Sequence, residues 1–288
     1  MPLQLHQNLN LLLLLIIGSF FATIPLSWVD IGLIIIFTFF VEHLFLYFNK
    51  SRDFYLSYSA FSTAIGVVVL VYSTSLWIYF LIITLGLLQK HFLNIEQKHL
   101  FNPSNFALIM ALLLFYDDAH IISGQLGDEP LFSMVVFVLA MSMLVRVQRW
   151  IVPIMFVFFY LFLQYVFIVS YDPVVFFEEI YYRFFSVTFM LFIYFMLTDP
   201  SVTPSSWRGQ IVFVFLIVLF TTLLDRFYGY RVQHLFMSVF FFSFFVNLLP
   251  LKRLSLTQLK LAVIILFLVV SSLVYIELQA PYYFEMNG

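Results

Sequence analysis

The chain has no cysteine. That excludes disulfides, thiolate zinc sites, iron–sulfur clusters held by this chain, and cysteine nucleophiles. Charge is scarce as well. Only 10% of the 288 residues are charged, against roughly a quarter in soluble domains, and the net charge is −2. No basic face exists for nucleic acid, so no nucleic-acid partner is expected. The nine glycines form no phosphate loop, and neither a serine-triad signature nor an H-E-x-x-H metal motif occurs. The longest polar insert, Asp117 to Pro130, is no more than an ordinary loop. The opening stretch "MPLQLHQNLNLLLLLIIGSFF" lacks the basic region of a signal peptide and reads as a retained first span.

What the chain does have is apolar bulk. It is 64% hydrophobic with forty phenylalanines, and its mean hydropathy is +1.05. No water-soluble fold could hide so much, so the solvent must be lipid. A crossing helix needs about 20 apolar residues, roughly 17–25. On that rule the chain is all-α, a polytopic transmembrane helix bundle of about 10–11 spans. The spans are 9–27, 30–48, 57–74, 76–93, 103–116, 131–147, 150–170, 183–198, 209–225, 232–249 and 257–277. The fifth and eighth are short and read as interrupted helices that stop within the membrane. Residues 1–288 form one integral membrane domain, with a core of 1–250 and an additional C-terminal span, 257–277.

Lys and Arg in short loops set the orientation. With the N-terminus in the cytoplasm, that side receives Lys50, Arg52, Lys90, Lys98, Arg146, Arg149, Arg208, Lys252, Arg253 and Lys260. The far side receives only Arg183, Arg226 and Arg231, together with the acidic pairs Asp117–Asp118, Asp128–Glu129 and Glu178–Glu179. An odd number of spans then puts the C-terminus outside.

Two polar seams interrupt the apolar text: "KHLFNPSNFALIM" from Lys98 and "IYFMLTDPSVTPSSWRGQIVF" from Ile193. Each places a small polar residue before proline, Asn102–Pro103 and Asp199–Pro200. Asn and Asp are good helix N-caps, and proline is favoured at the first helical position. Both seams are therefore expected to open helices at the cytoplasmic face. Their unpaired N–H groups would suit phosphate or carboxylate. The same dipeptides also cap ordinary loops. The separation of the seams, taken as five spans, hints at an internal repeat with two related halves.

Other polar residues have two readings each. Glu42–His43 lies inside the second span. An intramembrane carboxylate costs about 2.5–3.5 kcal/mol, so it faces a partner or a cavity. It is either an ion or proton relay, or an acceptor for bound flavin or quinone, or else half of an ion pair with a neighbouring helix, Lys90 being one candidate. Arg208 and Lys90 either hold a phosphate or head group or anchor the cytoplasmic face. His91, Glu96 and His99 are too few for a metal and read as solvated loop residues, so no metal is expected. His6, His120 and His234 are scattered singles and read as structural. The run "FFFSFF" at Phe240–Phe245 reads as lipid-facing packing, and Tyr181–Tyr182, Tyr228, Tyr230 and Tyr282–Tyr283 as interfacial belt.

"FNPSNFAL" together with "MLTDPSVTPSSWRGQI" resembles the RnfD/NqrB membrane subunits of the Rnf complex and the sodium-pumping NADH:quinone oxidoreductase. The spelling of both seams is most similar to the UnbU proteins, found near enediyne biosynthesis genes. "FFVEHLFLYFNKSR", with Glu42, resembles the family's second span, and "SYSAFSTAIGVVVLV" its third. Lys90 stands where the family has a lysine before its Asn-Pro loop. The resemblance implies a helical core of roughly ten spans in related halves, set in a bacterial cytoplasmic (inner) membrane. It implies flavin- or quinone-linked electron transfer, possible coupling to cation translocation, and partners that are other membrane redox subunits or a second copy. The cofactor site would gather Asn102, Pro103, Ser104, Asn105, Asp199, Pro200, Thr203, Ser205, Arg208 and Lys90. Family members carry one FMN on the threonine of an S-G-A-T motif. Here the corresponding loop reads "DDAHIISGQLGDEP". Ser123–Gly124 align with its start, but Leu126 stands in place of the threonine and the loop offers no other. A phosphoester link is thus not expected, while a non-covalent flavin, FMN or riboflavin, needs no such hydroxyl. Competing readings are a small-solute or ion transporter, since broken helices in related halves are transporter architecture, and an accessory membrane protein of a biosynthetic pathway.

Overall fold

A computed structural model describes residues 3–21, 24, 26–48, 57–95, 98–123, 130–200, 202–248 and 256–279. Lys50, Arg52, Glu96, Gly124, Leu126, Asp128–Glu129, Lys252, Arg253 and Tyr282–Tyr283 lie outside the described residues. In lipid every backbone N–H must find a partner inside the protein, which drives long apolar stretches into helices. Among the described residues twelve α-helices result: α1 (Leu3–Phe21), α2 (Trp28–Phe48), α3 (Tyr58–Leu70), α4 (Leu76–Phe92), α5 (Pro103–Leu114), α6 (Pro130–Val147), α7 (Ile151–Gln164), α8 (Phe177–Tyr182), α9 (Val187–Leu191), α10 (Trp207–Tyr228), α11 (Gln233–Leu248) and α12 (Leu256–Gln279). Each of the eleven expected spans overlaps one, and the chain is an all-α polytopic bundle. Among the described residues four apolar helices are long enough to cross a bilayer: Trp28–Phe48, Ile151–Val169, Trp207–Tyr228 and Lys260–Gln279.

The shorter helices are completed by other means. α3 has 13 residues, or about 20 Å at 1.5 Å per residue. The strand β1 (Val71–Ser73) extends it, paired antiparallel with β4 (Ala119–Ile121), which follows α5. Val71 and Ala119 are fully buried. Extended backbone is tolerated at membrane depth where protein surrounds it and its groups pair. A second two-residue ribbon, β2 (Asn94–Ile95) with β3 (Lys98–His99), turns the chain before α5. The eighth span is the most broken. α8 ends in a tight turn at Arg183–Phe185, α9 follows, and a wide π-type turn covers Phe192–Met196, closed by Leu197 N–H on the Phe192 carbonyl. Such wide turns often mark functional sites.

Helix partnerships repeat. α1 packs on α3, α2 on α4, and α4 on α5; likewise α6 packs on α9, α7 on α10, and α10 on α11. At the centre α1 meets α6 and α5 meets α11. In this pattern α1 to α5 correspond in order to α6, α7, α9, α10 and α11. The seams do not occupy matching places in that repeat. One lies between the fourth and fifth crossings and the other between the eighth and ninth, because α8 and α9 share a single crossing. Their separation is four spans, not five, and the counterpart of the α4–α5 seam is the α10–α11 turn. The resemblance of the seams is therefore not inherited from the repeat.

Polar stitches join the halves. Asn10 on α1 donates to the Leu139 carbonyl and Ser142 on α6, while Asn8 ties α1 to the Tyr58 carbonyl of α3 within the first half. Asn105 on α5 donates to the Phe236 carbonyl of α11. The aromatic reading is corrected in part: Phe240 and Phe244 are buried, Phe240 lying 4.5 Å from the Phe101 ring.

Candidate functional site

The two seams meet. Asn102 Nδ2 donates to Asp199 Oδ2 at 2.6 Å. Asn102 also caps α5, its Oδ1 accepting from Ser104 N–H at 3.0 Å and Asn105 N–H at 3.1 Å, with Pro103 at the first helical position. Phe106 N–H bonds the Asn102 carbonyl. The first turn of α5 therefore has no bare donor, contrary to the expected anion-binding end. Asp199 caps no helix. Its carbonyl accepts from Val202 and Thr203 in a turn, and α10 starts at Trp207 with Ser206 as its cap. A second proline, Pro204, and the small residues around it let the chain fold into a compact knot before the helix can begin.

Beside the Asn102–Asp199 contact lies a cavity of about 190 Å³. Ser59, Ser62, Thr63 and Gly66 form one face of α3 in it, at helical spacing. Asn102, Pro103 and Ser104 of α5 and His99 form the rim with Thr198, Asp199 and Pro200. Met143, Leu144 and Val147 of α6 and Tyr194, Phe195 and Met196 of the wide turn supply apolar walls. Burial holds the His99 imidazole below its ordinary value; the Asp199 carboxylate works the other way and the Lys90 charge adds to the lowering. The rim thus presents a carboxylate, an amide and hydroxyls around an apolar floor.

Glycine keeps this region tight. A Cβ on Gly86 of α4 would sit 2.6 Å from the Pro103 carbonyl oxygen, and one on Gly66 would sit 2.9 Å from Ser104 Oγ. Arg149 locks the second seam from behind. Its guanidinium donates to the carbonyls of Thr203 at 3.1 Å and Pro204 at 2.7 Å. Burial pushes the guanidinium down from its ordinary value, with Asp199 opposing. Gln148, at φ 56° in the left-handed region, turns the α6–α7 corner so that Arg149 can reach. Sequence reasoning counted Arg149 only as a surface charge. Its burial follows from that corner, which no local pattern announced.

The structure does not bring all the expected residues together. Asn102, Pro103, Ser104, Asp199 and Pro200 line the cavity, whereas Asn105 does not and donates to the Phe236 carbonyl. Thr203 is buried with its hydroxyl on the Leu197 carbonyl. Ser205 and Arg208 are exposed, Arg208 lying 5.2 Å over the Trp207 ring; neither faces the cavity. Lys90 pairs instead with Glu42 at 2.5 Å. Glu42 is fully buried, and it also accepts from Ser57 at 2.8 Å and lies 2.9 Å from His91 Nε2. This is the ion-pair reading of Glu42. His43 points elsewhere, its Nδ1 2.7 Å from the Phe39 carbonyl. His91, read as a solvated loop residue, is part of this buried pair.

A second polar cluster escaped sequence reasoning. Gln164 on α7 donates to Asp225 on α10 at 2.7 Å, and His234 Nδ1 on α11 lies 2.6 Å from the other Asp225 oxygen. Arg231 pairs with Glu277 on α12 at 3.2 Å. Arg183 donates to Tyr160 at 2.9 Å and sits 3.5 Å over the Tyr230 ring. His234, read as a scattered single, is fully buried among charged groups. Glu277 ties the additional span to the core. The available signal was five ionisable residues, Arg183, Asp225, Arg231, His234 and Glu277, near the ends of apolar stretches.

With the geometry in place, one comparison bears on it. Residues 109–251 match the NQR2, RnfD, RnfE family. The match runs from within α5 to just beyond α11, 143 of 288 residues, just under half of the chain. It supports the RnfD/NqrB likeness over the second seam, and it does not resolve the UnbU branch. The first seam lies before the matched residues. No curated protein matches the chain. Whatever the branch, the RnfD/NqrB-like chain is a multi-pass membrane protein.

Proposed function

We propose that this chain is a redox-associated membrane protein of the RnfD/NqrB kind, and that the cavity between its seams holds a non-covalent flavin lacking phosphate. The observation that carries the reading is the Asn102–Asp199 contact at the rim of a cavity built from both seams. The fit depends on which part of a flavin is considered. A phosphate suits the rim poorly, because the α5 N–H groups are already capped, Asp199 is an anion, and Arg208 faces away. A neutral ring suits it well. Asn102, Ser104 and the Asp199 carboxylate offer donors and acceptors to a polar edge, while Tyr194, Phe195 and Met196 offer apolar and aromatic faces. A bound flavin would supply one- or two-electron transfer. The chain's own residues bind and orient the ring, keep bulk water from its faces, and tune its edge through the Asp199 charge. Coupling to cation movement and association with other redox subunits in a bacterial cytoplasmic membrane, N-terminus inside, belong to the same reading, as does an UnbU-type branch.

The test is purification in mild detergent. The protein should carry flavin absorbance, and the extracted chromophore should migrate as riboflavin rather than FMN. Val147→Trp, which fills the cavity from α6, should be colourless yet folded. A folded, colourless wild-type preparation overturns the proposal. Related halves with interrupted helices favour a second reading, passage of a small solute. Glycerol flux into proteoliposomes, unchanged by Asp199→Ala, would remove the seam from any such path.

A further inference from the structure

Among the residues that line the seam cavity, His99 is the one base and Asp199 the one carboxylate. They come from opposite seams, His99 standing three residues before Asn102 in the first. The two sides of the rim are built differently. The second seam is braced. Arg149 holds the Thr203 and Pro204 carbonyls, and the Thr203 hydroxyl holds the Leu197 carbonyl. The first seam carries His99 on β3, whose ribbon has two residue pairs, Asn94 with His99 and Ile95 with Lys98. Leu100 N–H adds one bond to the Leu93 carbonyl at 3.3 Å. So short a ribbon is marginal by itself, which makes it the compliant side of the rim. The imidazole it carries is half-buried, with Nε2 shut off from solvent.

We infer that His99 is a proton-operated gate on this cavity: the rim closes over the neutral imidazole, and a proton on His99 swings the β2–β3 ribbon outward and admits water. The reason is hydration. A charged ring held in the closed rim is stripped of water, and moving the ribbon restores it. The charges around the ring set the balance. Burial holds His99 below its ordinary value; Asp199 opposes this, and Lys90 on α4 adds to the lowering. Lys90 is itself tied to Glu42 of α2, which also holds His91, and Arg149 at the α6–α7 corner stands behind Asp199. Lys98 shares the ribbon. From α1 and α3 the cavity receives uncharged polar groups, Gln7 and the hydroxyls of Ser59, Ser62 and Thr63. The sign follows. The closed rim binds the proton more weakly than the open one, so protonation favours opening, and the closed form prevails at neutral pH and above. The inference does not rest on the flavin reading, since the gate needs no occupant in the cavity.

The chain has no cysteine, so Thr63→Cys puts a single thiol of similar size on the cavity wall, at a position 2% exposed. The full chain in nanodiscs is treated with 2-hydroxyethyl methanethiosulfonate, a neutral reagent that the His99 charge cannot steer. At each pH its rate is divided by that at Ser205→Cys, an exposed position, which cancels the ordinary pH dependence of a thiol. From about pH 7.5 to about pH 5.5 the ratio should rise about tenfold, the limit for an imidazole of ordinary value near 6.5 in the open form. Adding His99→Gln to Thr63→Cys should flatten it. Adding instead Glu42→Gln with Lys90→Met removes the Lys90 charge without stranding Glu42. The rise should then shrink, because the closed rim tolerates the imidazolium better. A flat ratio in Thr63→Cys alone, or a rise that persists without His99, overturns the gate. Should the His99→Gln chain fail to fold, the Lys90 variant decides, and a rise as large as in Thr63→Cys alone overturns the inference.

Discussion

Replacing Asn102 with aspartate is the sharpest probe of the seam geometry. The wild-type amide donates to Asp199 and, through its oxygen, caps two N–H groups of α5. Aspartate is as good a cap as asparagine, so Asn102→Asp leaves the helix start intact. It changes the second contact alone, setting one carboxylate against another where the donor–acceptor distance is now 2.6 Å. Even after the two relax to about 4 Å apart, their repulsion is about 4 kcal/mol at an effective dielectric of 20. Asn102→Ser separates the effects: it keeps a cap, lacks the donor to Asp199, and should cost only about 1–2 kcal/mol. Denaturant unfolding in detergent at neutral pH should rank wild type above Asn102→Ser above Asn102→Asp. Acidification toward pH 4 should recover most of the aspartate variant's deficit, because one shared proton turns repulsion into a hydrogen bond. An Asn102→Asp protein as stable as wild type at neutral pH would mean that the seams do not touch, and the shared cavity would go with them.

Three further outcomes are expected. Gly86→Ala places a methyl 2.6 Å from the Pro103 carbonyl and should cost about 1–3 kcal/mol by overpacking, with the α4–α5 contact loosened in hydrogen exchange; a neutral result would refute the close approach. Glu42→Gln leaves Lys90 without its counter-charge beside a buried site and should destabilise by about 3–5 kcal/mol, while Glu42→Gln with Lys90→Met should recover most of the loss, as a double-mutant cycle would show. His99 is held below its ordinary value by burial, so between its folded and unfolded values the unfolded chain binds the extra proton. Its contribution is present above about pH 6.5 and is lost as pH falls below that, at up to about 1.4 kcal/mol per pH unit; His99→Gln should flatten that slope, and an unchanged slope would assign it elsewhere.

Much of this was legible in the residues. Hydropathy placed the helices because lipid forces each apolar stretch to pair its own backbone. The Asn102 cap was readable because a side-chain oxygen followed by proline acts within one turn. Glu42 had to have a partner, and Lys90 was a fair candidate. Asp199 misled because the same local grammar that caps a helix also closes a turn, and Pro204 with its small neighbours deferred α10 to Ser206. The meeting of Asn102 with Asp199, the inward swing of Arg149, and the gathering of Asp225, His234 and Glu277 from three helices were decided by packing alone. Apart from Asp225–His234, nine positions apart, those contacts join residues tens of positions apart. One-dimensional pattern records what a segment must bury, whereas which segment buries it depends on how the halves meet at α1–α6 and α5–α11.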